Sequence, residues 1–334
     1  MHIARQTAAE TSTTWPRLVA DIGGTNARFG WLSGPQAALD QVRVLPCQEH
    51  QGLVEVVQAY LQLGGLPMPA CAALGMANPV LGDAVQMTNL PWRFSVEEVR
   101  ERLGLQTLLV LNDFTALMLA VPGIAPQYLE AIGPHVPARS GAMGLLGPGT
   151  GLGVSGWLPV QGSDLGAPIM GEGGHVTLAA SNSLEFEVIE QLRKRYGHVS
   201  AERVLSGTGL VDLYHAIRAI KSDYDIEVTT PAQVLTLGMN GSSTDARQAL
   251  DLFCGWLGSV AGDLALTLGA IGGIFIGGGI TPRLKSHLLQ SDFRRRFEAK
   301  GRYQTYLQAI PTWLIDAPIS PALDGAARAL ELHV

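Results

Sequence analysis

The chain reads as an α/β protein built in two parts, and three observations predict this. Short apolar runs alternate with stretches of helical spacing along the whole sequence. The length of 334 residues suits two domains. One pattern also occurs twice, at residues 18–29 and 145–154: an apolar run, a glycine-rich turn holding one threonine, and a second extended run. Hydrophobic residues make up 47 % of the chain and charged residues 16 %, which excludes extensive disorder.

Residues 18–22 and 28–32 predict a β-hairpin around the first turn. Helical spacing follows over 52–63 through Val54, Val57, Tyr60 and Leu61, then a buried strand over 70–76 ending at Asn78-Pro79. Residues 96–103 form a short charged helix with Ser95 as N-cap and Glu98 three residues on. A strand over 107–111 runs into Asn112-Asp113 and a helix over 114–121, and Pro122-Gly123 marks a hinge or boundary. Beyond the second turn come helices near 183–196 and 209–220 and a long apolar helix from about 246 to 268. A strand over 274–276 leads into Gly277-Gly278-Gly279, and Pro318 and Pro321 precede a last helix over 323–332.

Several classes are set aside. A net charge of −6 argues against nucleic acid as a partner, and Arg294-Arg295-Arg296 reads as a solvated helix face. Cys47, Cys71 and Cys254 stand far apart without a paired spacing, which fits a reducing compartment and supplies no cysteine-rich zinc site. The polar stretch 1–17 lacks the apolar core of a secretory signal. Residues 264–280 are uncharged and long enough to mimic a membrane span, but their glycines break them into a short helix, a turn, a strand and a loop. The expectation is a soluble, cytoplasmic protein with no membrane partner.

The two turns carry the chemistry. In Asp21-Ile22-Gly23-Gly24-Thr25 and Gly149-Thr150-Gly151, glycine lets bare backbone N–H groups approach a phosphate and threonine adds a hydroxyl donor. Asp21 stands where a hydrated Mg²⁺ would be held. Two such turns suggest a clamp on a polyphosphate, with a nucleoside triphosphate as ligand. Residues 151–156 match G-x-G-x-x-G formally, but they lead into a return strand rather than a helix, so a dehydrogenase is disfavoured. Neither a P-loop, nor H-E-x-x-H, nor a G-x-S-x-G elbow occurs.

Asn112-Asp113 follows a buried strand and opens a helix, where a catalytic carboxylate belongs in an open α/β sheet and where the helix N-terminus favours its ionised form. A helix-capping aspartate without chemistry is the alternative. Glu172 and His175, separated by two glycines, complete a polar set that would converge with Asn112 and Asp113 on a ligand rich in hydroxyls.

Taken together these segments resemble bacterial glucokinases of the type without a zinc-binding cysteine cluster, in the actin-like superfamily of sugar kinases. The resemblance rests on the stretches 21–28, 87–95, 112–116, 149–153, 171–175, 197–207 and 277–283, in family order; 198–207 is the most specific of them. It implies a two-domain actin-like (ribonuclease H-like) fold with a central cleft. The small domain would be 1–122 plus 318–334 and the large one 123–317. It implies γ-phosphoryl transfer from MgATP to the 6-hydroxyl of glucose, with domain closure on the sugar. Asp113 would be the general base, and Asn112, Glu172, His175 and Glu202 would bind the sugar. Ala20, Asp21, Ile22, Gly23, Gly24, Thr25, Gly149, Thr150 and Gly151 would hold the phosphates, Asp21 with Mg²⁺ through water, and Gly278-Gly279 the adenosine. A homodimer is also implied. Pro148, Thr208 and the extra residues 1–16 depart from the usual pattern. A sugar-binding regulator on the same fold is the alternative, although it would normally carry a helix-turn-helix that sixteen polar residues cannot form.

Overall fold

The computed structural model describes residues 1–5, 14–160, 166–222 and 228–334. They form two compact units, Met1–Ile124 with Ala317–Val334, and Ala125–Asp316. In chain order the first unit contains strands β1 (His2–Arg5), β2 (Arg17–Ile22), β3 (Asn26–Leu32) and β4 (Asp40–Pro46), then helix α1 (Leu53–Gly64). There follow β5 (Cys71–Met76), β6 (Ala84–Gln86), β7 (Arg93–Ser95), α2 (Val96–Arg102), β8 (Thr107–Asn112) and α3 (Asp113–Ala120). Its main sheet has the order β1-β8-β5-β2-β3-β4, with β2, β5 and β8 parallel and the remaining pairs antiparallel. β5 and nearly all of β2 and β8 are buried, as expected of strands covered on both faces. The expected Ser95 cap is present: its side chain accepts from Glu98 N at 3.1 Å.

The second unit begins with β9 (Leu129–Ala131), β10 (Met143–Pro148), β11 (Leu152–Pro159) and β12 (Gly166–Met170). Four helices follow, α4 (Ser183–Tyr196), α5 (Gly207–Lys221), α6 (Pro231–Met239) and α7 (Thr244–Leu268). Then come β13 (Gly273–Ile276), α8 (Thr281–Leu288), α9 (Phe293–Glu298), α10 (Gln304–Gln308) and β14 (Thr312–Ile315). The sheet order is β12-β11-β10-β13-β14-β9. Strand for strand, β9, β14, β13, β10, β11 and β12 repeat β1, β8, β5, β2, β3 and β4, with the same parallel and antiparallel pairings. The duplication therefore extends from the two hairpins to two whole sheets, and it gives residues 2–5 a place that their polar sequence did not suggest.

One reading is corrected. Arg294 and Arg296 are buried, not solvated. Arg294 donates to the carbonyls of Leu307, Gln308 and Ile310, and Arg296 pairs with the fully buried Glu185 and donates to Ser181 Oγ and Ser259 Oγ. Only Arg295 stays in solvent, on Asp292. The helical start of 264–280 is the end of the long helix expected to about residue 268: it is α7, which Gly269 stops in the left-handed conformation at φ 60°. By length and composition α7 passes as a membrane span, yet 72 % of its apolar window is buried inside the protein. It is the core helix of its unit.

The last helix, α11 (Ala322–His333), belongs to the first unit. It packs so closely on α3 that a Cβ on Gly325 would overlap the carbonyl oxygen of Ala116.

Candidate active site

In the first unit, the sheet register brings the first glycine turn and the Asn112-Asp113 pair to one end. Ile22 lies beside Met76, and Met76 beside Asn112, so the carboxyl ends of β2, β5 and β8 are level. Two strand spacings separate the turn from Asn112, roughly 10 Å. Gly23 N donates to Asn26 O at 3.0 Å and closes the turn. Cys47 holds it from outside: its N–H donates to Thr25 O at 2.8 Å, and its thiol lies 3.5 Å from Gly23 O.

Asp21 precedes the turn. Its Oδ2 accepts from Ser320 Oγ at 3.0 Å and lies 3.7 Å from Arg28 Nη1. Burial pushes this carboxyl above the usual carboxylate range, against the smaller opposing pull of Ser320 and Arg28. At the head of α3 the capping residue is Asn112, whose Oδ1 accepts from Phe114 N at 2.9 Å and Thr115 N at 3.2 Å. Asp113 is the first helical residue, half-buried, with Oδ1 accepting from Phe114 N at 2.9 Å. The cap that the sequence could have assigned to Asp113 is thus supplied by its neighbour, which leaves Asp113 at the positive end of the helix.

In the second unit, Gly149 N donates to Gly151 O at 2.8 Å, and Gly149 O accepts from Gly207 N at 2.9 Å. Gly277 N donates to Leu146 O at 2.8 Å and Ile280 N to Pro148 O at 3.2 Å, so the glycine loop after β13 lies on the second turn. Gly278 takes φ +85°, and a Cβ there would overlap Pro148 O. Glycine is required on both counts. Glu202 reaches the same turn, accepting from Leu152 N at 2.9 Å through Oε2. Its Oε1 lies 4.0 Å from His175 Nδ1. His175 N donates to Glu172 O at 3.0 Å and Glu202 N to Gly174 O at 2.8 Å, which gathers Glu172, His175 and Glu202. The predicted residues therefore form two groups, one in each unit. Ala20, Asp21, Ile22, Gly23, Gly24, Thr25, Asn112 and Asp113 are in the first, and Gly149, Thr150, Gly151, Glu172, His175, Glu202, Gly278 and Gly279 in the second.

The family model described as Glucokinase matches residues 18–333. A curated glucokinase of Aromatoleum aromaticum is 51 % identical over 321 residues, covering 96 % of this chain and 96 % of that protein. The chain belongs to the glucokinase family. It is an ATP-dependent hexose kinase acting on glucose. A solved glucokinase from an Antarctic psychrotroph is 36 % identical with a TM-score of 0.84, covering 95 % of this chain and 99 % of that one. A ROK-family glucokinase from Streptomyces griseus, at 17 % identity and a TM-score of 0.63, covers 94 % of this chain and 99 % of that one and shares the actin-like sugar-kinase fold.

Three further residues join the first group without having been singled out in the sequence, although Asn89 lies in the stretch 87–95 that carries the resemblance. Ser320 reaches Asp21 from far along the chain. Asn89 lies against Gly24, where an added Cβ would stand 2.7 Å from Asn89 Cβ. Asn78 was visible only as the end of a strand, yet its Oδ1 accepts from Thr88 N at 3.1 Å and Thr88 Oγ1 at 2.6 Å.

Proposed function

We propose that Asp113 is the general base that takes the proton of the glucose 6-hydroxyl as its oxygen attacks the γ-phosphorus of ATP. A sugar hydroxyl is too weak an acid to ionise beforehand, so the proton moves as the P–O bond forms. The observation that carries this reading is the level register of β2, β5 and β8, with Asp113 heading a helix two strands from the Gly23-Gly24-Thr25 turn. Asn112, Glu172, His175 and Glu202 bind the remaining hydroxyls. Ala20 to Thr25 and Gly149 to Gly151 hold the phosphates through backbone N–H groups and the two threonine hydroxyls, and Gly278-Gly279 lies against the adenosine. Catalysis is then mainly positioning and electrostatic stabilisation of a loose transition state.

Asp21 suits Mg²⁺ that arrives with the nucleotide. Among the described residues its largely buried carboxylate has one hydroxyl and one distant guanidinium for partners, and no cluster of three His, Cys, Asp or Glu side chains forms a metal cage. Mg²⁺ commonly keeps its waters and uses few protein ligands. When bound it neutralises phosphate charge. The chain acts in the cytoplasm, where MgATP is supplied, and as a homodimer.

The test is steady-state turnover with MgATP and glucose coupled to detection of glucose 6-phosphate, with mannose and fructose in parallel. Glucose-dependent turnover of at least about 1 s⁻¹ is expected. Turnover on mannose or fructose alone would overturn the substrate. Binding of glucose without turnover would overturn the mechanism.

A further inference from the structure

We propose that Asn78 is a positioning residue for phosphoryl transfer: its side chain locks the tip of the β6–β7 hairpin against the first glycine turn. The proposal rests on reading that turn as a phosphate site. Asn78 is only 9 % exposed. Oδ1 takes both donors of Thr88, N at 3.1 Å and Oγ1 at 2.6 Å, while Nδ2 donates to Pro79 O at 2.9 Å. Its main-chain carbonyl also accepts from Asn112 Nδ2 at 3.5 Å.

The hairpin needs such an anchor. Among the described residues β6 and β7 pair only with each other, and a two-stranded ribbon is marginal in water. Val85, Met87, Leu90 and Trp92 are buried in the core of the unit, so apolar packing keeps the hairpin on the protein. Packing is non-directional and does not fix where the tip points. The hydrogen bonds do that. Asn78 fixes Thr88, the next residue Asn89 walls Gly24, and Trp92 Nε1 donates to His50 O at 3.3 Å on the far side. A continuous path within one unit therefore runs from Asn112, beside the base, through Asn78, Thr88 and Asn89 to the turn at Gly24. A tip that drifts leaves Gly24 without its wall and the turn's N–H groups less well aimed.

Steady-state kinetics of the full chain decide the matter, with Asn78→Ala, Thr88→Val and the double variant compared alongside thermal melts. Asn78→Ala is expected to raise the KM for MgATP at least five-fold, and by a larger factor than the KM for glucose. Thr88→Val, at an exposed residue, is expected to raise it in the same sense and carries the test if Asn78→Ala does not fold. The double variant should be no worse than twofold beyond Asn78→Ala, because both remove one clamp.

A KM for MgATP within twofold of the parent in the folded Asn78→Ala and Thr88→Val proteins would overturn the clamp, as would fully multiplicative singles. Thr25→Ala separates the two layers. If it leaves the KM for MgATP unchanged, the phosphate reading falls and the clamp with it. If it raises that KM while Asn78→Ala does not, only the clamp falls.

Discussion

The two sheets share one wiring but not one chemistry. In the first unit, β8 is followed by Asp113, which opens α3. In the second, the matching strand β14 is followed by Asp316. An aspartate thus follows the matching strand in both copies. Asp316 is held by Lys285, with Nζ 2.7 Å from its Oδ2, and Lys285 also reaches Glu130; these two carboxylates push its ammonium pKa up to about 12. Asp113 instead heads a helix capped by Asn112. The turns diverge in the same way. Across the first hairpin Asp21 pairs with Arg28, and across the second Gly147 pairs with Gly153, so the second turn borrows its carboxylate from Glu202. Duplication supplied the frame, and residues at strand ends and from distant segments divided the work.

The sharpest test sets the two aspartates against each other. Asp113→Ala is expected to fold normally and lose about 10²–10⁴ in kcat, the usual worth of a general base, while Asp316→Ala stays within twofold. A threefold loss or less in Asp113→Ala would break the comparison at its root. Next in size is Glu202→Gln, which removes a charged acceptor worth roughly 1.5–3 kcal/mol, so the glucose KM should rise about 10–100-fold. An unchanged KM removes Glu202 from the sugar site.

The glycines come third. An added Cβ at Gly24 meets Asn89 Cβ, which moves only with its backbone, whereas at Gly151 it meets the swinging end of Glu202. Gly24→Ala should therefore cost about tenfold in the KM for MgATP. Gly151→Ala should act on the KM for glucose through Glu202. Equal nucleotide effects would show that the turns are interchangeable.

The smallest effect concerns Asp21. Burial raises its folded-state pKa, so its ionised form is the costly one: stability present below the unfolded pKa is lost as pH rises through the folded value. Asp21→Asn should melt slightly higher than the parent at pH 8, and the gap should close at low pH. A lower melting temperature at pH 8 would place a stabilising role on the carboxylate.

Much of this was legible because it is local. The hairpins around Thr25 and Thr150, the Ser95 cap and the glycine stop after α7 each follow from residues within a few positions of one another. What escaped is long-range. Nothing near Asp21 announces Ser320, and nothing near Leu152 announces Glu202. Arg294 and Arg296 looked like a charge run because a sequence shows charge but not the buried carbonyls and the buried Glu185 that receive it. β1 lacks alternation and exists because the edge of β8 was open to a partner.

The placement of α11 has a consequence for how the protein is made. Residues 317–334, which complete the first unit, emerge only after the whole of the second has been synthesised. At typical elongation rates of about 5–20 residues per second, β2, β5 and α3 wait roughly 10–60 s for the helix that covers them. The second unit meets no such delay, being continuous in sequence. During that interval the backbone of α3 at Ala116, the surface that later receives Gly325, stands open to chaperones and to other nascent chains.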